Sequence, residues 1–150
     1  MGDGRGGAYV VGQFALITGI AIVAVLPPAL PHGALRVVGG ALALAGAALF
    51  VWAYRTLGRS FTMLPEPLPD GELVTGGPYR LCRHPAYGAG LLVVVGFSLA
   101  TSLPALGLSV ALGALWWRKS LSEERRLAAR FPAYAAYRGR VRPRFLPWLL

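Results

Sequence analysis

Residues 85–117 read PAYGAGLLVVVGFSLATSLPALGLSVALGALWW, and none of these 33 residues is charged. A straight helix rises about 1.5 Å per residue, so this run would extend about 50 Å, well beyond a hydrocarbon core of about 30 Å. The tetrapeptide TSLP at 101–104 interrupts the run near its middle. The stretch therefore predicts a helical hairpin, with spans at 85–101 and 103–119, that returns the chain to the membrane face it left.

The composition of the 150-residue chain is that of an integral membrane protein. Hydrophobic residues make up 55% and charged residues only 14%, whereas about a quarter of the residues in soluble domains are charged. Two earlier apolar runs, 8–26 and 34–54, are each long enough to cross a bilayer. Together with the hairpin they predict one all-α membrane domain over residues 1–150, with about four transmembrane helices.

The distribution of basic residues predicts the orientation of the spans. With four spans, both termini, the connection 55–84 and the tail 120–150 share one face with 14 of the 15 basic residues, and only Arg36 lies opposite. Basic residues are enriched on the cytoplasmic side and attract anionic lipid headgroups. The abundance of Arg, Ala and Gly is typical of bacterial chains. We therefore expect a bacterial inner-membrane protein whose termini and C-terminal helices are cytoplasmic.

Several function classes lack the motifs they require. The net charge of +9 is not accompanied by a nucleic-acid reader motif, so nucleic acid is not an expected partner. Two His and one Cys without ligand spacing predict no metal site, and His32 in a Pro-rich loop is expected to be inert. The single Cys82 excludes an internal disulfide. No nucleophile elbow, Walker A loop or Rossmann fingerprint occurs.

Other residues have simple structural interpretations. Small residues in the second run (Gly39, Gly40, Ala43, Gly46 and Ala47) predict close helix packing. Trp116 and Trp117 lie where an interfacial aromatic anchor is expected. The tail should continue as a polar helix and then a short helix with Tyr134, Tyr137 and Arg138 on one face. The last arginines of the tail are expected to lie on lipid headgroups. Leu127 and Phe131 are expected to pack against the membrane or the connection.

Polar and aromatic residues gather around the entrance of the third predicted span. They are Tyr79, Arg80, Arg83, His84 and Tyr87, and the hairpin returns Glu123 and Glu124 to the same face. Such cations, carboxylates and aromatic faces could hold a zwitterionic cofactor, with a sulfonium over a Tyr ring. Alternatively, the arginines follow the positive-inside rule, the tyrosines form an interfacial belt, and Glu123 caps a helix with Ser120.

Two stretches resemble a known family. Residues 73–90, LVTGGPYRLCRHPAYGAG, are similar to the signature of the isoprenylcysteine carboxyl methyltransferases. The later stretch 123–143, with its Glu pair, Leu127, Phe131 and two Tyr residues, is similar to the second motif of that family. The resemblance covers about residues 57–147. The phospholipid N-methyltransferases look like relatives of this family in the same superfamily. Two departures are Gly71, where eukaryotic members have a polar side chain, and Pro132, which replaces a Gly-containing turn.

The resemblance implies an integral membrane methyltransferase that uses S-adenosylmethionine. A basic residue before the Glu pair, Arg118 or Lys119, would face the substrate. Arg83 and His84 are the candidates for a direct part in the reaction, although the sequence assigns no catalytic residue. Carried over by position, the cofactor site would consist of Leu73, Val74, Tyr79, His84, Pro85, Ala86, Tyr87, Glu123 and Glu124.

The expected reaction is methyl transfer to the carboxylate of a lipid-like or prenylated substrate that enters from the bilayer. A carboxylate is already ionised at neutral pH and needs no general base. Three alternatives remain: an amine-directed phospholipid methyltransferase, a sterol-type reductase with a nicotinamide cofactor, and a non-enzymatic membrane subunit. The sequence predicts no oligomeric state.

Overall fold

The computed structural model describes residues 5–26 and 33–147, so His32 lies outside the described residues. The helices within these ranges are α1 (Arg5–Val25), α2 (Ala34–Leu57), α3 (Pro85–Thr101), α4 (Leu103–Arg130) and α5 (Tyr134–Arg140). Two short 3₁₀ turns, Gly58–Ser60 and Gly77–Arg80, lie in the connection between α2 and α3. The described part of the chain contains no strand, which confirms the all-α prediction.

The outer surface of α1 and α2 is apolar. The segments Gly6–Val25 and Ala34–Ser60 are long and apolar enough to cross a membrane, and Pro85–Thr101 is a shorter apolar helix. Large side chains such as Val37 and Leu44 are more than 70% exposed. Such a surface is favourable in lipid and costly in water. The protein is therefore associated with a membrane, and the number of four spans stays a prediction.

The hairpin forms where the sequence predicts it. Helix α3 ends at Thr101, Ser102 is extended, and α4 begins at Leu103 with Pro104 in its first turn, where the missing N–H is tolerated. Helix α4 then runs without interruption to Arg130. The polar segment thus continues the helix and does not begin one: Ser120 Oγ donates to the Trp117 carbonyl at 2.8 Å and forms no capping box.

Helices α2 and α3 pack closely through small residues. A Cβ on Gly39 would lie 2.5 Å from the Gly96 carbonyl oxygen, and one on Gly46 would lie 2.8 Å from the Ala89 carbonyl oxygen. The packing role predicted for these two glycines is confirmed. The predicted packing role is wrong for Gly40, where an added Cβ would have no neighbour within 4 Å, and for Ala47, which is exposed.

The C-terminal segment 141–147 packs on the entrance of α3. The backbone N–H of Arg83 donates to the Pro143 carbonyl at 3.0 Å, and the N–H of His84 donates to the Arg144 carbonyl at 2.7 Å. A Cβ on Gly88 would clash with the Phe145 carbonyl, so this approach requires glycine. The prediction that the last arginines lie on headgroups is wrong for Arg144, which is only 8% exposed because it binds inside the protein.

The structure also decides the surroundings of several aromatic residues. Trp116 is buried and stacks on Tyr87 with ring centroids 5.5 Å apart, so it packs inside the protein and not at the lipid interface. In α5, Tyr134 and Tyr137 are buried against Leu73, Leu127 and Phe131, so of the two predicted surroundings of Leu127 and Phe131 the structure has the connection. Arg138 borders their buried face: its side chain is 60% exposed, and its Nε lies 3.9 Å from Oε2 of the buried Glu124.

Candidate functional site

A cavity of about 900 Å³, including its open mouth, lies between the connection, the start of α3, the polar end of α4 and α5. The connection forms its cover through residues 57–74. The sequence-predicted residues that line it are Leu73, Val74, Tyr79, Arg83, His84, Ala86, Tyr87 and Glu123.

Five other residues that the sequence analysis singled out lie outside the cavity lining. Pro85 is buried in the first turn of α3, and Glu124 is buried behind the wall. Arg118 is exposed, whereas Lys119 is buried inside the helix bundle. Arg80, from the polar cluster, is exposed on another surface.

Glu124 is the centre of a buried ionic network. Its Oε1 accepts hydrogen bonds from Arg83 Nε at 3.0 Å, Arg144 Nε at 3.0 Å and His84 Nε2 at 3.3 Å. Burial would raise the pKa of Glu124, but the bonds from His84, Arg144 and Arg83 lower this pKa far below its usual range. Glu124 therefore stays ionised and holds the C-terminal segment and the entrance of α3 together.

His84 bridges the two glutamates. Its Nδ1 lies 3.4 Å from Glu123 Oε2, while its Nε2 faces Glu124. Burial would lower the pKa of His84, but hydrogen bonds to Glu123 and Glu124 raise it. An imidazolium that donates from both nitrogens has no lone pair to accept a proton. His84 therefore orients Glu123, whose Oε1 also accepts from the Tyr87 hydroxyl, at the cavity wall.

Arg83 joins the network to the cavity. Its Nε binds Glu124, and its Nη1 donates to the carbonyls of Val141 and Arg142. Its Nη2 has no hydrogen-bond partner within the described ranges, although Arg83 is part of the cavity lining. Arg83 can therefore present a free cationic donor to a ligand that enters the cavity.

Two tyrosine hydroxyls in the wall lack partners. Tyr79 and Tyr134 are 6% and 2% exposed, and the hydroxyl of each is buried without a hydrogen bond within the described chain. Burial and neighbouring carboxylates raise the pKa of Tyr79 and raise that of Tyr134 to about 12, so both remain protonated donors. Buried hydroxyls almost always find partners, and this pair is an exception within the described chain.

Lys119 lies close to the ring of Tyr87. Its Nζ is 5.4 Å from the centroid of the Tyr87 ring and donates to Gln13 Oε1 at 3.2 Å and to the Met63 carbonyl at 2.6 Å. No Asp or Glu of the described ranges forms an ion pair with it. A buried cation without a carboxylate partner is a candidate binding group.

Sequence reasoning missed several contributors to the site. Tyr134, Gln13 and Arg144 were not among the predicted site residues, although Tyr134 and Arg144 lie in or beside the recognised motifs. Gln13 carried a signal, since an amide in an apolar run is costly unless it is bonded. The connection also contributes Ser60, Phe61, Thr62, Leu64, Pro65 and Leu68 to the cavity wall.

One negative observation concerns metals. Within residues 5–26 and 33–147, no group of three or more His, Cys, Asp and Glu side chains is placed to hold a metal ion. Cys82 is buried, donates to the Phe145 carbonyl at 3.2 Å, and has a pKa raised by burial to about 11.

Comparison with known proteins identifies relatives of the chain. The chain is 40% identical over 82 residues to the cobalt-zinc-cadmium resistance protein CzcN of Cupriavidus metallidurans. The aligned stretch covers 53% of this chain and 38% of that protein. The chain is 36% identical over 80 residues to the nickel-cobalt-cadmium resistance protein NccN of Alcaligenes xylosoxydans xylosoxydans, which covers 52% and 37%. The matched stretch thus spans less than two-fifths of the length of either relative.

A family model gives the broader assignment. The model described as phospholipid methyltransferase matches residues 35–133, which include α2, α3, α4 and most of the cavity wall. The narrower isoprenylcysteine carboxyl methyltransferase family stays a prediction. The match extends over well more than half of the chain, and the protein therefore belongs to the phospholipid methyltransferase family.

Proposed function

We propose that this protein is a membrane methyltransferase that uses S-adenosylmethionine to methylate the carboxylate of a lipid-like acceptor. The observation that carries the proposal is the cavity at the entrance of α3, which is lined by Arg83, Glu123 and the two tyrosines Tyr79 and Tyr134. Members of the phospholipid methyltransferase family generally use S-adenosylmethionine, and family membership supports that cofactor.

The residues of the cavity fit the cofactor group by group. Arg83 Nη2 can donate to a carboxylate, and Glu123 can accept from an ammonium group or from ribose hydroxyls. Tyr79 and Tyr134 line the cavity and can pack against the nucleoside. Tyr87 lines the cavity beside Glu123, while His84 and Trp116 stack on its ring. Leu73, Val74 and the prolines of the connection supply apolar surface for an adenine ring.

Bound in this way, the cofactor would supply an electrophilic methyl group. A carboxylate oxygen would donate the electron pair of the new O–C bond, and the pair of the broken C–S bond would stay on sulfur. No proton moves, so no residue of the chain has to act as a base. The surroundings of His84 agree with this, because His84 lies between Glu123 and Glu124 and its pKa is raised. His84 therefore orients neighbouring groups and does not abstract protons.

The chain would contribute orientation and exclusion of water. The connection covers the cavity on one side, and the network around Glu124 fixes Arg83 and His84 on the other. Holding acceptor and donor in line removes much of the entropic barrier of a bimolecular reaction. We place this site on the cytoplasmic face of a bacterial inner membrane, where the water-soluble cofactor would enter from the cytoplasm and the acceptor from the bilayer.

Lys119 favours an anionic acceptor. Between the two predicted substrate-facing residues, Lys119 is the one buried beside Tyr87, while Arg118 is exposed. A buried ammonium attracts a carboxylate and repels a protonated amine. For this reason carboxyl O-methylation, on a fatty or prenylated acid, is the preferred reaction.

Amine N-methylation is the second candidate, because the matching family model is named for phospholipid methyltransferases. An amine must lose a proton before it can attack, and Glu123, like Glu66 and Glu72, is a carboxylate of the cavity lining that could accept it. The metal resistance in the names of the two relatives is said of those proteins, and we propose no metal chemistry for this chain.

The test is a product analysis. Purified protein in detergent is incubated with methyl-labelled S-adenosylmethionine and, separately, with palmitate or phosphatidylethanolamine. Transfer to palmitate as a base-labile methyl ester, reduced at least tenfold in Glu123→Gln, supports the proposal. A base-stable methylamine formed from phosphatidylethanolamine, with no ester, would replace it by the second candidate. If no methyl group is transferred even to lipid extracts of bacterial membranes, both candidate reactions are contradicted.

A further inference from the structure

A second cavity opens on the surface next to the first, and Tyr137 lines both. Its volume is about 780 Å³, including the open mouth. We call it the arginine groove, and its lining consists of Thr75, Gly76, Arg80, Tyr137, Arg140 and Val141. Two of these residues are cationic and none is an Asp or a Glu, so the lining favours an anionic ligand.

The two arginines of the groove lack partners in the described part of the chain. Neither Arg80 nor Arg140 makes a hydrogen bond, an ion pair or a cation–π contact there. By contrast, Arg83 and Arg144, from neighbouring stretches of the chain, both bind Glu124. Two cations that line one groove repel each other, and an anion between them would replace this repulsion by two attractions.

The donors of the groove suit a phosphate group. A guanidinium donates two parallel hydrogen bonds to phosphate oxygens, and the tetrahedral arrangement of these oxygens allows two guanidinium groups to bind from different sides. Thr75 offers a further donor, because its hydroxyl makes no hydrogen bond within the described chain. The planar oxygens of a carboxylate all lie in one plane and would serve two such groups less well.

The floor of the groove is well packed. Tyr137 and Val141 are 4% and 9% exposed and belong to one buried cluster. The Tyr137 hydroxyl donates to the Tyr79 carbonyl at 2.8 Å, which joins α5 to the 3₁₀ turn that ends at Arg80. The backbones that carry the two arginines are therefore fixed relative to each other, and such preorganisation lowers the entropic cost of binding a ligand.

The arginine groove lies near the predicted membrane surface. Arg80 shortly precedes the apolar helix α3, which begins at Pro85. Leu81, the residue next to Arg80, is 47% exposed, and an exposed apolar side chain is more favourable in lipid than in water. The phosphate groups most abundant at this level are those of lipid headgroups.

We propose that the arginine groove binds the phosphate group of an anionic membrane lipid, at a site separate from the cavity assigned to the cofactor. The inference goes beyond the proposed function, because this lipid would receive no methyl group. It would hold the 3₁₀ turn and α5 together by binding both arginines. Since Tyr137 lines both cavities, the bound lipid would also support the wall of the first.

The test is calorimetry on the full-length protein in dodecyl maltoside micelles, with dioctanoyl phosphatidylglycerol as the probe. Dioctanoylglycerol has the same chains without the phosphate, and inorganic phosphate has no chains. Phosphatidylglycerol should bind saturably, and each of the other two at least tenfold more weakly. Equal affinity for dioctanoylglycerol would overturn the proposal, because the arginines would then play no part. Equal affinity for inorganic phosphate would overturn the assignment to a lipid and indicate a soluble phosphate compound.

The decisive variant is Gly76→Leu. Gly76 has an extended backbone (φ −89°, ψ 178°) that any residue adopts, and an added Cβ would meet nothing within 4 Å. The new side chain would therefore fill the groove without strain and without a change in net charge. Affinity for phosphatidylglycerol should fall at least tenfold in Gly76→Leu, in Arg80→Gln and in Arg140→Gln. It should stay unchanged in the matched control Arg125→Gln, an exposed arginine of α4 outside the groove.

Wild-type affinity in Gly76→Leu would overturn the site, because the lipid would then bind elsewhere on the protein. An equal fall in Arg125→Gln and Arg80→Gln would also overturn it, since that result reflects net charge and no defined groove. Unfolding in SDS should match the wild type in all variants. If Gly76→Leu is unstable, the comparison of Arg80→Gln and Arg140→Gln with Arg125→Gln decides the question.

Discussion

Glu124→Gln is the substitution for which the structure gives the clearest energetic expectation. It preserves the size of the side chain but removes the negative charge that faces Arg83, His84 and Arg144. Glu124 is 5% exposed, so water cannot replace the lost carboxylate. Breaking a buried ion pair by removing one partner costs about 3–5 kcal/mol. Because His84 can release its proton and the amide still accepts one bond, we expect about 3 kcal/mol.

The measurement is the free energy of unfolding in mixed detergent micelles titrated with SDS, followed by far-UV circular dichroism. The matched control is Glu66→Gln, which removes a carboxylate paired with Arg126 where the two side chains are 39% and 27% exposed. Exposed pairs contribute about 0–1 kcal/mol, so the control should unfold almost as the wild type does. Equal losses of stability in Glu124→Gln and Glu66→Gln would refute the argument that this network holds the site together.

Three further expectations follow from the same geometry. Gly39→Ala should lower the free energy of unfolding by about 1–3 kcal/mol, because its Cβ would push α2 away from α3. Gly40→Ala, with no neighbour near its Cβ, should be neutral or stabilising by up to about 1 kcal/mol in the same SDS titration. The protonated form of His84, whose pKa is raised above 6.5, contributes stability below about pH 6.5, and this contribution is lost as pH rises through the folded-state pKa. The slope of unfolding free energy against pH in that window should therefore vanish in His84→Gln, and an unchanged slope would contradict the assignment. Tyr134→Phe should be neutral or slightly stabilising in the same SDS titration, because its buried hydroxyl has no protein partner. Tyr137→Phe should instead lose stability, because its hydroxyl donates to the Tyr79 carbonyl at 2.8 Å.

The features that could be predicted from sequence depend on local patterns. The break at 101–104 follows from the length of the apolar run and from Pro104, and α3 and α4 meet there. The hairpin in turn places Glu123 and Glu124 beside Arg83 and His84, as expected. The coarse position of the site therefore needed only the count of spans and the order of the motifs.

The features that were missed depend on contacts between distant segments. Arg144 was assigned to the lipid surface because it lies in a basic tail, yet Glu124 and the Trp117 ring hold it inside. Trp116 was assigned to the interface, but the Tyr87 ring and the Gln13 oxygen bind it. In both cases hydropathy indicates the depth of a residue in the membrane and gives no information about its partner in the fold.

The division of roles between the two glutamates shows the same limit. The sequence left Glu123 and Glu124 equivalent, as adjacent carboxylates before a helical tail. In the structure a rotation of about 100° per residue along α4 turns Glu123 towards the cavity and Glu124 towards the arginines. Only the position of α4 relative to the C-terminal segment decides which residue faces which side.

The central claim is that the cavity at the entrance of α3 binds S-adenosylmethionine, and calorimetry on the detergent-purified protein tests it most directly. Saturable binding is expected in the wild type, at least tenfold weaker binding in His84→Ala and Glu123→Gln, and none for a nicotinamide cofactor. Wild-type protein that is folded by circular dichroism but binds no S-adenosylmethionine, or binds the nicotinamide cofactor instead, would contradict the account.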